Sequence, residues 1–380
     1  MAKIQSIKGR EILASGGAPS LEVTAILEDG SIGEASVSYG ASAGSKEACV
    51  LLDKDPKRYN GKGMMTAVNN INGEIAKALI GMEAANQREI DERMITMDGT
   101  ENKSRLGGNA ILGVSMAIAR AEAESEKMPL YKYLRKIAKI DSQEWRLPKP
   151  MIVMIEGGKH ADQTTDLQEY LVSAMGQRNA AENVRMQMEI YEALKKILKR
   201  EGLSTNVGNE GAFAPNGLST NEKPMEYLVE AIKNAGYIPG EDAGISIDAA
   251  ASEFQNKENG KYNLSIEGRE VTSEELIEYY ASWINKYPFV SWEDMLSEFD
   301  WNNWPKLTER IGGKFPNIAD DLTVTNLKLW QEAIEKKAAT AILIKLNQAG
   351  SVTETIDCCL LARQNNFWTV PSHRGGGETN

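Results

Sequence analysis

The last third of the 380-residue chain constrains the fold most, because five short apolar runs there each end in a charged or imidazole group. They read GISID, ending at Asp248, FVSWED with Glu293 and Asp294, NIADD with Asp320 and Asp321, AILIK ending at Lys345, and WTVPSH ending at His373. Runs of four to six mostly apolar or β-branched residues suit parallel strands buried on both faces. Between the later runs, TNLKLWQEAIEKKA and SVTETIDCCLLARQ read as amphipathic helices. From Glu293 onward the run ends are 27, 25 and 28 residues apart. That is close to the roughly 30 residues of a βα unit in an eight-stranded barrel. The gap from Asp248 to Glu293 is 45 residues because the turn-rich stretch NKENGKYN lies inside it.

Polar groups at the C-terminal ends of consecutive barrel strands share one mouth, the face on which such barrels do chemistry. Asp248, Glu293 and Asp320 are then hard oxygen ligands suited to Mg²⁺. A neighbouring cation disfavours the ammonium form, which suits Lys345 to act as a base near neutral pH. Arg374, after His373 in a glycine-rich loop, suits fork-shaped recognition of a phosphate or carboxylate. Any one of these residues alone reads as a solvated strand-end group. Four at barrel spacing favour convergence.

Hydrophobic residues make up 42% of the chain, enough for a large core and two domains. Net charge is −11 with no basic cluster, which argues against nucleic acid and against an anionic membrane surface. No apolar run approaches the roughly 18 residues of a spanning helix, and the N-terminus has no apolar signal core. Cys49, Cys358 and Cys359 form no CxxC pattern, so a reduced cytoplasmic protein is the simplest reading.

The beginning of the chain reads as three strands, IQSIKGREILA, SLEVTAILEDG and IGEASVSYG, in an antiparallel meander. GASAGSKEA follows as a flexible loop able to reach over a pocket, with Lys46 and Glu47 forming an exposed helix start. From about 62 to 139 the spacing predicts helices, and prolines in RLPKP mark a boundary. The fold class is therefore α/β: an N-terminal α+β domain over 1–140, then a TIM-like β/α barrel over 141–380. Six of the seven tryptophans lie after position 280 and read as core. His160 in EGGKHADQ, Glu169 in DLQEYL and Glu210 in VGNEGAFAP complete the ionisable set. Two carboxylates near a metal can divide acid–base work between them.

These segments carry a resemblance to the enolase family over essentially the whole chain. They are GREILASGGAP, SYGASAGSKEA, MDGTENKSRLGGNAILGVSMA, EGGKHAD with LQEY, VGNEGAFAPN, IDAAASEF, WEDML, ADDLTVTN, ILIKLNQAGSVTET and SHRGGGET. The resemblance implies a hydro-lyase interconverting 2-phosphoglycerate and phosphoenolpyruvate, a glycolytic step, with two Mg²⁺ per site. By position it implies Asp248, Glu293 and Asp320 as metal ligands and Lys345 as the base at C2. It implies Glu210, with Glu169 beside it, as the acid for the leaving hydroxyl. Ser42 is implied to close over the substrate and join the second Mg²⁺. His160 is implied to face the substrate and Arg374 to bind its phosphate, beside His373, with Gln168 and Asp321 at neighbouring pocket positions. A small phosphorylated carboxylic acid is the implied partner, and a homodimer the implied assembly.

The chain also departs from the family pattern. Glu156 stands where the family has asparagine, Asn209 where it has aspartate, and Gly375 where it has serine. Ala14 and Gly16 replace an Asp and an Arg. The family also continues through a further strand, bearing a second lysine in a KTGS-like motif, and a helix. The expectation is thus a barrel lacking its last unit. The departures keep two alternatives open: a paralogue acting on another phosphorylated or phosphonate acid, and a non-catalytic enolase-like binding protein.

Overall fold

The computed structural model describes residues 2–14, 16–37, 45–142 and 144–372, so Ser42, His373, Arg374 and Gly375 lie outside the described residues. The described residues pack as two compact units. One comprises residues up to 144 with 324–330 and the stretch from 343 onward; the other comprises 145–323 and 331–342.

The first unit opens with the expected meander: β1 (Ile4–Leu13), β2 (Pro19–Leu27) and β3 (Ile32–Val37), paired antiparallel in that order. Alternation along β2 buries Leu21, Val23, Ala25 and Leu27 on one face. Ala14 and Gly16 belong to the turn between β1 and β2, where Ala14 N–H bonds Ala18 at 2.8 Å. Helices follow: α1 (Met65–Asn70) and α2 (Ala76–Leu79) flanking a wider turn, then α3 (Gln87–Asp98), α4 (Gly108–Ser125) and α5 (Leu130–Ile137). Helix α4 buries Ile111, Val114 and Ile118 in the core that β2 also lines.

Sheet and helix approach each other at a glycine. A Cβ on Gly33 would lie 2.1 Å from the Ala117 carbonyl oxygen and 2.3 Å from the Ala121 nitrogen, both backbone atoms of α4. Gly33→Ala must therefore push the helix off the sheet, and overpacking of this kind costs about 2–3 kcal/mol or more. The midpoint of chemical denaturation should fall accordingly; an unchanged midpoint would show that the helix can yield.

The second unit carries β4 (Met151–Glu156), β5 (Glu169–Ala174), α6 (Ala180–Arg200), α7 (Lys223–Asn234) and β6 (Ala243–Asp248). The turn-rich insert folds as a small hairpin, β7 (Tyr262–Leu264) with β8 (Arg269–Val271). Then come α8 (Ser273–Ala281), β9 (Phe289–Glu293), α9 (Trp304–Ile311) and β10 (Asn317–Ala319). Helix α10 (Leu327–Glu335) and β11 (Ala341–Ile344) each have residues in both units. The strand order is β4-β5-β6-β9-β10-β11. β4, β5 and β6 pair antiparallel, whereas β6, β9, β10 and β11 pair parallel, giving a β/α half-barrel. Trp283, Trp292 and Trp304 are fully buried, as core tryptophans should be.

The chain then supplies the first unit with α11 (Leu346–Ala349), α12 (Val352–Gln364) and β12 (Trp368–Pro371), the last lying beside β11. Helix α12 is held at its N-terminus from α3 and α4. Thr353 N–H donates to Asp91 at 3.0 Å and Val352 N–H to the Ser115 hydroxyl at 3.1 Å. Those donors have no partner within their own helix, so this capping is one of the ties between the late segment and the early one, with the Arg88–Asp357 and Lys103–Glu354 ion pairs. Trp330 is buried here too, whereas Trp368 is 64% exposed and is no core residue.

Candidate active site

In the second unit, strand register lines up four carboxyl groups across one end of the sheet. Glu156 pairs with Glu169, Glu169 with Asp248, and Asp248 with Glu293. Paired residues on adjacent strands point to the same face, about 4.7–4.9 Å apart between strands. Asp320 follows β10, whose Ile318 is the partner of Glu293. Three of these acids close parallel strands, and the other two sit level with them because β4 and β5 run antiparallel to one another. Beneath the row the same face carries Ser246 and Ser291, whose hydroxyls are 2.8 Å apart, and Ser173, 2.7 Å from Ser246.

Like charges in adjacent register repel, so the row suits a cation. Asp248 is 8% exposed and Asp320 7%. Asp248 accepts from Ala250 N–H at 2.9 Å and from the Gln168 amide at 3.4 Å. Asp248, Glu293 and Asp320 offer carboxylate oxygen alone, the donor set that fits Mg²⁺.

Asp294 organises the Asp320 side. Its carboxylate is buried and accepts from Asp320 N–H at 2.9 Å and Asp321 N–H at 2.7 Å. Asp294, Asp320 and Asp321 each bring an oxygen within 4.8 Å of the others, a spacing compatible with a shared metal ion. Burial, then the charges of Asp321, Asp320 and Asp248, push the Asp294 carboxyl well above the usual range. Asp294 has φ 42° and Ala250 φ 45°, a left-handed backbone at two successive strand ends. Such strain costs about 1–3 kcal/mol per residue and clusters at functional sites. The sequence left Asp294 open between a support for the neighbouring acids and a solvated residue; its burial comes from the turn after β10.

On the other side, His160 closes the short turn Gly158–His160 after β4. Its Nδ1 lies 3.1 Å from a Glu169 carboxylate oxygen and 3.9 Å from one of Glu210. The three groups can place ligating atoms within 4.8 Å of one another. Burial works against charging His160, but Glu169, Glu210 and Asp248 outweigh it and raise the imidazole above its ordinary 6.5. A raised folded-state value gives stability that is complete below the unfolded value and lost as pH rises through the folded one. We expect His160 in metal-free protein to titrate above the free-histidine range by proton NMR. With two histidines in the chain, His160→Gln assigns the resonance. A value at or below the free range would contradict the geometry.

In the first unit, Lys345 follows β11 and caps α11. Its N–H donates at 3.0 Å to the Thr325 hydroxyl, which in turn donates to the Leu343 carbonyl at 3.1 Å. Gln348 donates to Glu47 at 3.2 Å, and Ala48 N–H donates to the Gln348 carbonyl at 2.9 Å. Glu47 is therefore 9% exposed, not the start of a solvated helix. The segment beginning at Glu47 is anchored within three residues of Lys345. Sequence reasoning missed this contact because it joins positions some 300 residues apart.

The structure thus gathers Gln168, Glu169, His160, Glu210 and Asp248 on one side of the second unit, and Asp320 and Asp321 around Asp294. Among the described residues, no helix is long and apolar enough to cross a membrane. Two family profiles match the chain: "Enolase, N-terminal domain" over residues 4–134 and "Enolase, C-terminal TIM barrel domain" over 144–380. With strand-end acids, a half-barrel and both profiles in place, the chain belongs to the enolase family.

Proposed function

We propose that this protein interconverts 2-phosphoglycerate and phosphoenolpyruvate as a Mg²⁺-dependent hydro-lyase. The observation that carries the reading is the lateral row Glu169–Asp248–Glu293, continued by Asp320, with His160 and Glu210 against it. Asp248, Glu293 and Asp320 would hold the metal. Bound there, Mg²⁺ supplies electrostatic stabilisation of the charge that grows on the substrate carboxylate.

Lys345 removes the proton from C2, a step that turns a carboxylate into a dianionic enediolate and needs a well-placed base. Glu210, with Glu169 beside it, delivers the proton that lets the 3-hydroxyl leave as water. His160, in contact with both, holds positive charge between them and fixes their orientation. Gln168 orients Asp248, and Asp321 is the proposed neighbour of the metal-holding acids. Ser42, His373 and Arg374, outside the described residues, are the proposed substrate-closing and phosphate-binding groups. The same reading makes the protein a cytoplasmic homodimer in glycolysis.

Glu156 and Asn209, both beside Glu210 in the chain or in space, favour a second reading, a related phosphorylated or phosphonate acid as substrate. A panel of such acids, each offered with Mg²⁺, separates the two. We expect 2-phosphoglycerate to give the highest kcat/KM; another acid turned over faster would move the assignment.

A further inference from the structure

We propose that Glu156 is a positioning residue for Glu210, a buried carboxylate that fixes the loop from which Glu210 projects. The inference rests on Glu210 being the acid of the proposed reaction. Glu156 ends β4 and is fully buried. Its Oε1 accepts from Ala212 N–H at 2.7 Å, and Glu210 N–H lies 3.1 and 3.2 Å from its two oxygens. Two backbone N–H groups of the loop thus converge on one buried carboxyl group, which burial pushes above its usual range while the N–H groups of Ala212 and Glu210 hold it down.

The rest of the loop is tied down around that contact. Asn209 N–H donates to the His160 carbonyl at 3.1 Å, and Gly208 N–H to Ala212 at 2.9 Å. The Tyr191 hydroxyl donates to the Gly211 carbonyl at 2.9 Å, and its ring stacks on Phe213 at 4.2 Å. A Cβ on Gly208 would lie 2.3 Å from Glu156 Oε2 and 2.8 Å from the His160 carbonyl oxygen, so the carboxylate lies flush against the chain. Glu210 is thereby held at its own N–H while its carboxylate faces His160 at 3.9 Å.

Two departures that look independent in the sequence meet at this point. Glu156 stands in place of asparagine and Asn209 in place of aspartate, and the loop bearing Asn209 is bound by Glu156 through the N–H groups on either side of Gly211.

The test uses full-length protein and three variants, Glu156→Gln, Glu156→Asn and Asn209→Asp, with the double variant that combines the last two. Glu156→Gln removes the carboxylate charge and puts an NH2 donor in place of the oxygen 3.2 Å from Glu210 N–H, so kcat should fall about 10- to 100-fold with KM changed less than about 3-fold. The double variant, which moves a carboxylate from under the loop onto it, should restore kcat at least about 5-fold above the product of the single effects, since coupled neighbours are not additive. Wild-type kcat in Glu156→Gln, or strictly multiplicative effects in the double variant, would overturn the proposal. Amide hydrogen exchange across 206–214 serves as a readout independent of turnover. It should quicken about 10-fold in Glu156→Gln while peptides elsewhere stay as in wild type; unchanged exchange there overturns the positioning role. Faster exchange in a protein that does not turn over 2-phosphoglycerate would instead sink the functional reading and leave Glu156 as the loop's anchor.

Discussion

Replacing Lys345 by alanine is expected to slow exchange of the C2 hydrogen of 2-phosphoglycerate with solvent about 10²- to 10⁴-fold, the range set by a positioned general base. A lysine acts as a base near neutral pH only where its surroundings disfavour the ammonium form. The Lys345 backbone is held in place. The residue follows a buried strand, and its N–H is held by Thr325, which itself sits at φ 48° beside Val324 at φ 44°. Two successive left-handed residues that are not glycine indicate a turn maintained at some cost. Loss of the C2 proton signal in deuterated water measures the step directly. Exchange at the wild-type rate in Lys345→Ala would assign the base elsewhere.

Glu210→Gln should give the complementary result. The amide keeps the size of the side chain and its approach to His160, but it cannot deliver a carboxylic proton. Formation of phosphoenolpyruvate should therefore fall about 10²- to 10⁴-fold while C2 exchange persists. Persistence of exchange distinguishes loss of the acid from general damage to the pocket. If exchange and dehydration fall together, Glu210 supports binding or the base step and not departure of the hydroxyl. The variant should leave the contact of Glu156 with the 210 and 212 N–H groups in place, because those bonds involve backbone alone on the loop side.

Much of this arrangement was legible in local sequence. The runs ending at Asp248, Glu293 and Lys345 are strands or end at strands, because four to six apolar residues bounded by turns leave little else to form. The meander was equally plain from alternation and its turn residues. Not legible was lateral register. That Glu156, Glu169 and Asp248 lie side by side depends on β5 pairing antiparallel with β4 on one side and with β6 on the other, the latter across a long insertion, and no local period encodes that. The burial of Asp294 and Glu47 was hidden for the same reason: their partners, the 320–321 turn and Gln348, are distant in sequence. A charged residue beside a ligand reads as solvated until the element that covers it is known. Glu156 and Asn209 were visible as departures from a pattern, but only the loop geometry makes them one feature.

The most direct measurement is the appearance of phosphoenolpyruvate when purified protein is mixed with 2-phosphoglycerate, followed by its ultraviolet absorbance with Mg²⁺ and again after chelation. The account predicts steady formation that stops when the metal is removed and resumes when Mg²⁺ is restored. Formation of no phosphoenolpyruvate, or formation indifferent to chelation, would contradict it.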